Sequence, residues 1–138
     1  PAMAVLTDVS GDPIERLRRG IAISTAPGFA ESNAEFVESW LQYRVAHPID
    51  PAGYQAQLAI GLGLLSEAAS FEHKLGRVTA PTLLLFGEHD VVVPPGNAEL
   101  LAAKLPHARV EILPNAGHVF PFETPEAANR AITRFLLE

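Results

Sequence analysis

No cysteine occurs among the 138 residues. That excludes a disulfide framework and thiol chemistry. Basic residues are scarce: ten Lys and Arg stand against sixteen Asp and Glu, for a net charge of −6 and a pI of about 5.3. This balance makes nucleic acid and anionic membrane poor partners. No apolar run approaches the length of a membrane span, and no secretory signal is visible. A cytoplasmic setting is expected, with Met3 read as closer to a natural start than Pro1-Ala2. Metal-ligand spacing is also missing. His89 adjoins Glu88 and Asp90, but alternating neighbours at a strand end point in different directions, so no metal is expected. His47, His73 and His107 are isolated and read as solvent-facing. What the chain does have is apolar bulk: 48% hydrophobic residues and a mean hydropathy of +0.16, in one domain's worth of sequence.

The apolar residues are ordered. Thr82-Leu83-Leu84-Leu85-Phe86-Gly87 reads as a buried strand, and Arg109-Val110-Glu111-Ile112-Leu113-Pro114 as the next. Ala98, Leu101 and Leu105 fall at helical spacing between them. The unit is therefore strand, crossover helix, parallel strand. Asp90 follows the first strand and His118 the second. Both project from the carboxyl edge of one parallel sheet, where open α/β sheets place their active sites. A carboxylate that orients a histidine supplies two of the three groups of a nucleophilic hydrolase.

Upstream, Met3–Val9 is short and apolar and reads as a strand. Asp12-Pro13-Ile14-Glu15 announces a helix, with Asp12 as N-cap, Pro13 in the first turn and Glu15 reaching back. Ser32-Asn33-Ala34-Glu35 reads as a capping box for a helix carrying Phe36, Val37, Trp40 and Leu41 on one face. Asp50-Pro51 opens a third helix, with Tyr54, Leu58, Leu62 and Leu65 at helical intervals. A loop or short helix around 66–76 leads to the strand at Thr82. The last helix has Thr124 as N-cap, Pro125 in its first turn and an expected buried face of Ala128, Ile132, Phe135 and Leu136.

Pro81-Thr82-Leu83-Leu84-Leu85-Phe86-Gly87-Glu88-His89-Asp90-Val91-Val92-Val93-Pro94, followed by Ala116-Gly117-His118 and Glu123-Thr124-Pro125-Glu126, resembles the C-terminal portion of an α/β-hydrolase. The match is tight over roughly the last 60 residues and loose before them. The resemblance implies a partial α/β-hydrolase fold with about three parallel strands, flanking helices and an inserted helical cap. Residues 1–10 would form the first retained strand, 11–76 the cap, and 77–138 the strand-helix-strand-helix part of the core. It implies Asp90 as the triad acid and His118 as the base. The acid accepts the imidazole Nδ1–H and fixes its tautomer, while Nε2 takes the nucleophile's proton. Gly117 would let the loop turn tightly. Val91, Val92 and Phe120 flank the pair as expected pocket walls. Trp40, Phe36, Tyr43 and Tyr54 read as cap packing, with some of them, Trp40 first, expected to line the substrate pocket.

The family's G-x-S-x-G turn does not occur in this sequence. Ser10, Ser24, Ser32, Ser39, Ser66 and Ser70 all lack its flanking residues. The resemblance thus implies a cofactor-free hydrolase of a small ester or lactone, in the enol-lactonase, esterase and haloperoxidase-like branch. Its nucleophile would come from a missing N-terminal portion, leaving the isolated chain inactive. An aspartate nucleophile there would instead imply an epoxide hydrolase or dehalogenase. The competing expectation is an inactive hydrolase-like module for binding or oligomerisation. Expected partners are a small-molecule substrate and either a complementary N-terminal fragment or a second copy paired along the open sheet edge.

Overall fold

The computed structural model describes residues 2–8, 10–63 and 70–138. Five helices come first: α1 (Ala2–Leu6), α2 (Pro13–Ser24), α3 (Phe29–Ser32), α4 (Ala34–Ala46) and α5 (Pro51–Gly63). A 3₁₀ turn (Glu72–Arg77) leads into β1 (Thr82–Gly87), α6 (Gly96–Ala102), β2 (Ala108–Leu113), α7 (Phe120–Glu123) and α8 (Pro125–Leu137). Among the described residues no helix is long and apolar enough to cross a membrane.

β1 and β2 pair in parallel, with Thr82 opposite Ala108 and Gly87 opposite Leu113. The second strand starts and ends one residue earlier than expected, because Pro114 has no N–H to give a ladder. α6 packs on both strands and α8 on β2. Leu113, Ala116 and Ala128 form a buried cluster, with Leu85, Phe120 and Ala127 packed against it. A second cluster joins α2 and α4 through Ile21, Val37 and Leu41, with Leu17, Ala30 and Trp40 at its margin.

The expected strand at Met3–Val9 is not a strand. Ala2–Leu6 is helical and packs on α2, and Val9 lies outside the described residues. Ala, Met and Leu are good helix formers, and only Val5 in this stretch is β-branched. A strand there would leave its backbone groups without a ladder, whereas a helix pairs them internally. The sheet accordingly has two strands among the described residues, not three.

Two helix starts follow the sequence closely. Asp12 caps α2, its carboxylate accepting from the N–H groups of Ile14 and Glu15 at 2.9 and 3.1 Å. Asp50 does the same before α5, accepting from Gly53 N–H at 2.8 Å. The capping box at Ser32 fails: Ser32 ends α3, and α4 begins at Ala34 after Asn33, whose side chain donates back to the Phe29 carbonyl. Thr124 does precede α8, yet its hydroxyl donates to the Phe120 carbonyl of the abutting α7 and makes no cap bond. The buried stripe of α8 runs through Ala128 and Ala131, with Phe135 half-buried, while Ile132 and Leu136 are 41% and 72% exposed. Small side chains take the face against β2 because they allow close approach. α5 buries none of its residues fully, Leu62 is exposed, and Leu65 lies outside the described residues.

Candidate active site

The site is built at the carboxyl ends of β1 and β2. Asp90 sits in the turn after β1, and its carboxylate is spoken for on both oxygens. Oδ1 accepts from the N–H groups of Val92 and Val93, each at 2.8 Å. Oδ2 lies 2.9 Å from Nδ1 of His118. The Asp90 side chain is 4% exposed and that of His118 40%. A buried carboxylate is tolerated when every lone pair it turns inward meets a donor, and the turn is shaped to provide those donors. With Nδ1 engaged by Asp90, Nε2 is the ring nitrogen left for proton transfer.

The two loops are locked together by backbone. His89 N–H donates to the Ala116 carbonyl at 2.8 Å, and Glu88 N–H to that of Leu113 at 2.9 Å. Glu88 in turn accepts from Asn115 N–H. The left-handed residue of the histidine loop is Asn115, at φ 55°. Gly117 is therefore not the turn-former expected from its place before His118. Its role is proximity: a Cβ there would stand 2.6 Å from both Thr25 C and Ala26 N. Gly87 is more constrained, since its Cβ would meet the Gly117 carbonyl oxygen at 2.1 Å.

Glu123, to which the sequence assigned no role, holds the histidine loop to the helical region. One carboxylate oxygen accepts from Gly117 N–H at 3.0 Å, the other from Ala26 N–H at 2.6 Å. Val119 N–H also donates to the Ser24 carbonyl at 3.1 Å.

Beside this loop opens a cavity of about 630 Å³, lined in part by Leu17, Ile21, Trp40, Tyr54, Leu58 and Val119. Trp40 thus reaches a cavity that Val119, the residue after His118, also lines, and its ring also packs on Phe122 at 5.8 Å and Phe36 at 5.9 Å. The other expected wall residues are not brought there. Phe120 is half-buried in the β2–α8 cluster. Val91 is 52% exposed, and Val92 serves Asp90 through its backbone. Tyr43 is exposed and stacks on His47 at 4.3 Å. A hollow of about 760 Å³ between α2 and α4 receives no residue from the histidine loop. At the cavity's margin the hydroxyl and N–H of Ser10, with Arg19 nearby, hold the Asp8 carboxyl below the usual carboxylate range.

A parallel β-α-β unit with an acid and a histidine paired at its carboxyl edge is the arrangement of the α/β-hydrolase fold. The family model for that fold matches residues 9–125, and the chain belongs to the α/β-hydrolase family. It is 34% identical over 92 residues to a pimeloyl-[acyl-carrier protein] methyl ester esterase of Nitrosomonas europaea, a match covering 65% of this chain and 34% of the esterase. It is 31% identical over 83 residues to monoacylglycerol lipase abhd6-A of Xenopus laevis, covering 60% of this chain and 25% of the lipase. The crystal structure of MGS-M2, an α/β-hydrolase from a deep-sea metagenome library, superposes with a TM-score of 0.72 at 18% identity, over 99% of this chain and 47% of that one. The chain spans half or less of the length of each of these relatives.

Proposed function

We propose that this chain supplies the acid and base of an ester- or lactone-cleaving α/β-hydrolase, with Asp90 as acid and His118 as base. The carrying observation is the 2.9 Å contact between Asp90 Oδ2 and His118 Nδ1, next to Val119, which lines a cavity. Asp90 holds the imidazole in the tautomer whose Nε2 is basic and stabilises the imidazolium formed in turnover. Nε2 takes the proton of a nucleophile and returns it to the leaving group. The nucleophile and the oxyanion donors come from a complementary N-terminal polypeptide, since no G-x-S-x-G turn is present here. Helices α2–α5 serve as the cap. The esterase and lipase among the relatives support ester chemistry.

The test is reconstitution. The chain is combined with such an N-terminal polypeptide and assayed on an activated ester. Activity appears only in the mixture, and His118→Ala lowers kcat/KM by about 10⁴-fold. An unchanged rate in that variant overturns the assignment.

A second reading, association through unpartnered faces, is favoured by the apolar groups left open on β2 (Val110 and Ile112) and on α8 (Leu136 and Leu137). The complementary polypeptide would cover them. A monodisperse monomer in light scattering, with no co-purifying chain in denaturing mass analysis, counts against this reading.

A further inference from the structure

The cavity beside the histidine loop is lined by one charged side chain, that of Arg44, with no partner among the described residues. Arg44 stands on α4 four residues after Trp40, so the two share a helix face. Both line the cavity, as do Tyr54 and Leu58 of α5 and Val119, the neighbour of His118. Arg44 is half-buried, and among the described residues its side chain forms no hydrogen bond or ion pair. The other charged groups at this wall each have at least one side-chain partner. Arg16 donates to the Gly11 carbonyl at 2.8 Å. Asp8 accepts from Ser10 N–H and Oγ at 2.8 and 2.6 Å and pairs with Arg19 at 3.2 Å. A place in the last turn of α4 accounts for a positive charge, because it faces the negative end of the helix dipole. It does not supply acceptors for a guanidinium set against apolar walls.

We propose that this cavity binds an organic acid whose carboxylate pairs with Arg44 and whose apolar body lies against Trp40 and Leu58. The planar fork of a guanidinium matches a carboxylate through two parallel hydrogen bonds. The far end of the ligand reaches Val119 and so the His118 loop. Resting on the hydrolase reading, the substrate class is then a half-ester of a dicarboxylic acid, with the free acid on Arg44 and the scissile ester at His118.

Trp40 is the sole tryptophan of the chain, and its fluorescence reports the cavity directly. The full chain is titrated at neutral pH with monomethyl adipate and, separately, with dimethyl adipate. The monoester binds at least about ten-fold more tightly than the diester, the increment of a charge-assisted hydrogen-bond pair. The extra methyl of the diester favours the opposite order by hydrophobic burial, so preference for the monoester reports the charge. Arg44→Gln, checked by far-UV circular dichroism, brings the ratio close to one, and Arg44→Lys leaves it between the two. Equal affinities in the unaltered chain overturn the proposal, as does a preference that survives Arg44→Gln, or no saturable change with either ligand. No turnover is needed, so this result and the reconstitution assay fail independently.

Discussion

The two halves of the molecule are held by different means. In the α/β half, main chain meets main chain: β1 lies on β2, and Gly87 backs onto the carbonyls of Ala116 and Gly117 with no room for a methyl group. In the helical half, side chains meet side chains. Ile21, Val37 and Leu41 form the buried cluster, α5 contributes no fully buried residue, and Phe36 and Tyr43 remain exposed. Backbone contact leaves a single solution for each loop, and the acid–histidine pair stands in that half. Side-chain contact tolerates repacking, and the cavity walls, where substrate choice would be made, come mostly from that half. On the proposed function, fixed geometry for chemistry and adjustable geometry for recognition would fall to different segments of one chain.

The sharpest way to break the comparison is Gly87→Ala. The added Cβ would sit 2.1 Å from the Gly117 carbonyl oxygen and 2.5 Å from that of Ala116. Both are backbone atoms, so relief requires β1 and the histidine loop to separate. A loss of about 3 kcal/mol is expected in denaturant unfolding, with the Asp90–His118 hydrogen bond broken. A stability change below about 1 kcal/mol, under the usual range for overpacking, would show that the two loops are not locked by proximity.

Sequence patterning reached the α/β half well because its signals are local and redundant. A continuous apolar run is the mark of a parallel strand, and Thr82–Gly87 is one, although among the described residues it is half-buried up to Phe86 and fully buried only at Gly87. Asp90 and His118 each follow a strand end at short range, so topology alone brings them together. Ala2–Leu6 escaped because a short apolar run without strong β-branching does not separate strand from helix. Ile132 and Leu136 misled because hydrophobicity marks a face only when something covers it, while Ala128 is the α8 residue buried with Leu113 of β2. The loop contacts of Glu123 could not be read at all: its partners Ala26 and Gly117 are 97 and 6 residues away. Arg44 was invisible for the same reason. Nothing in the sequence says that a charged residue at a helix end will face a cavity built by four other segments.

Glu123→Gln sharpens the comparison at the junction of the halves. The amide keeps one acceptor but turns an NH₂ toward one of two backbone N–H groups. The unmatched donor costs about 2 kcal/mol in this partly buried setting. Hydrogen exchange at Ala26 and Gly117 should speed up, while the β1–β2 ladder keeps its protection. If exchange at both amides is unchanged, the halves are joined by something other than this carboxylate.

The smallest expected effect belongs wholly to the helical half. Asp12→Ala removes the acceptor for Ile14 and Glu15 N–H at the start of α2. The cost is about 1 kcal/mol. If the halves differ as argued, that loss stays local: amides in the first turn of α2 exchange faster, and the Nδ1 proton of His118, observed by NMR, is unmoved. The Ile21 end of α2, packed on Val37 and Leu41, should hold. A shift of the His118 signal in this variant would mean that the start of α2 is coupled through Ser24–Ala26 to the histidine loop. The helical half would then position the catalytic pair as well as wall the cavity.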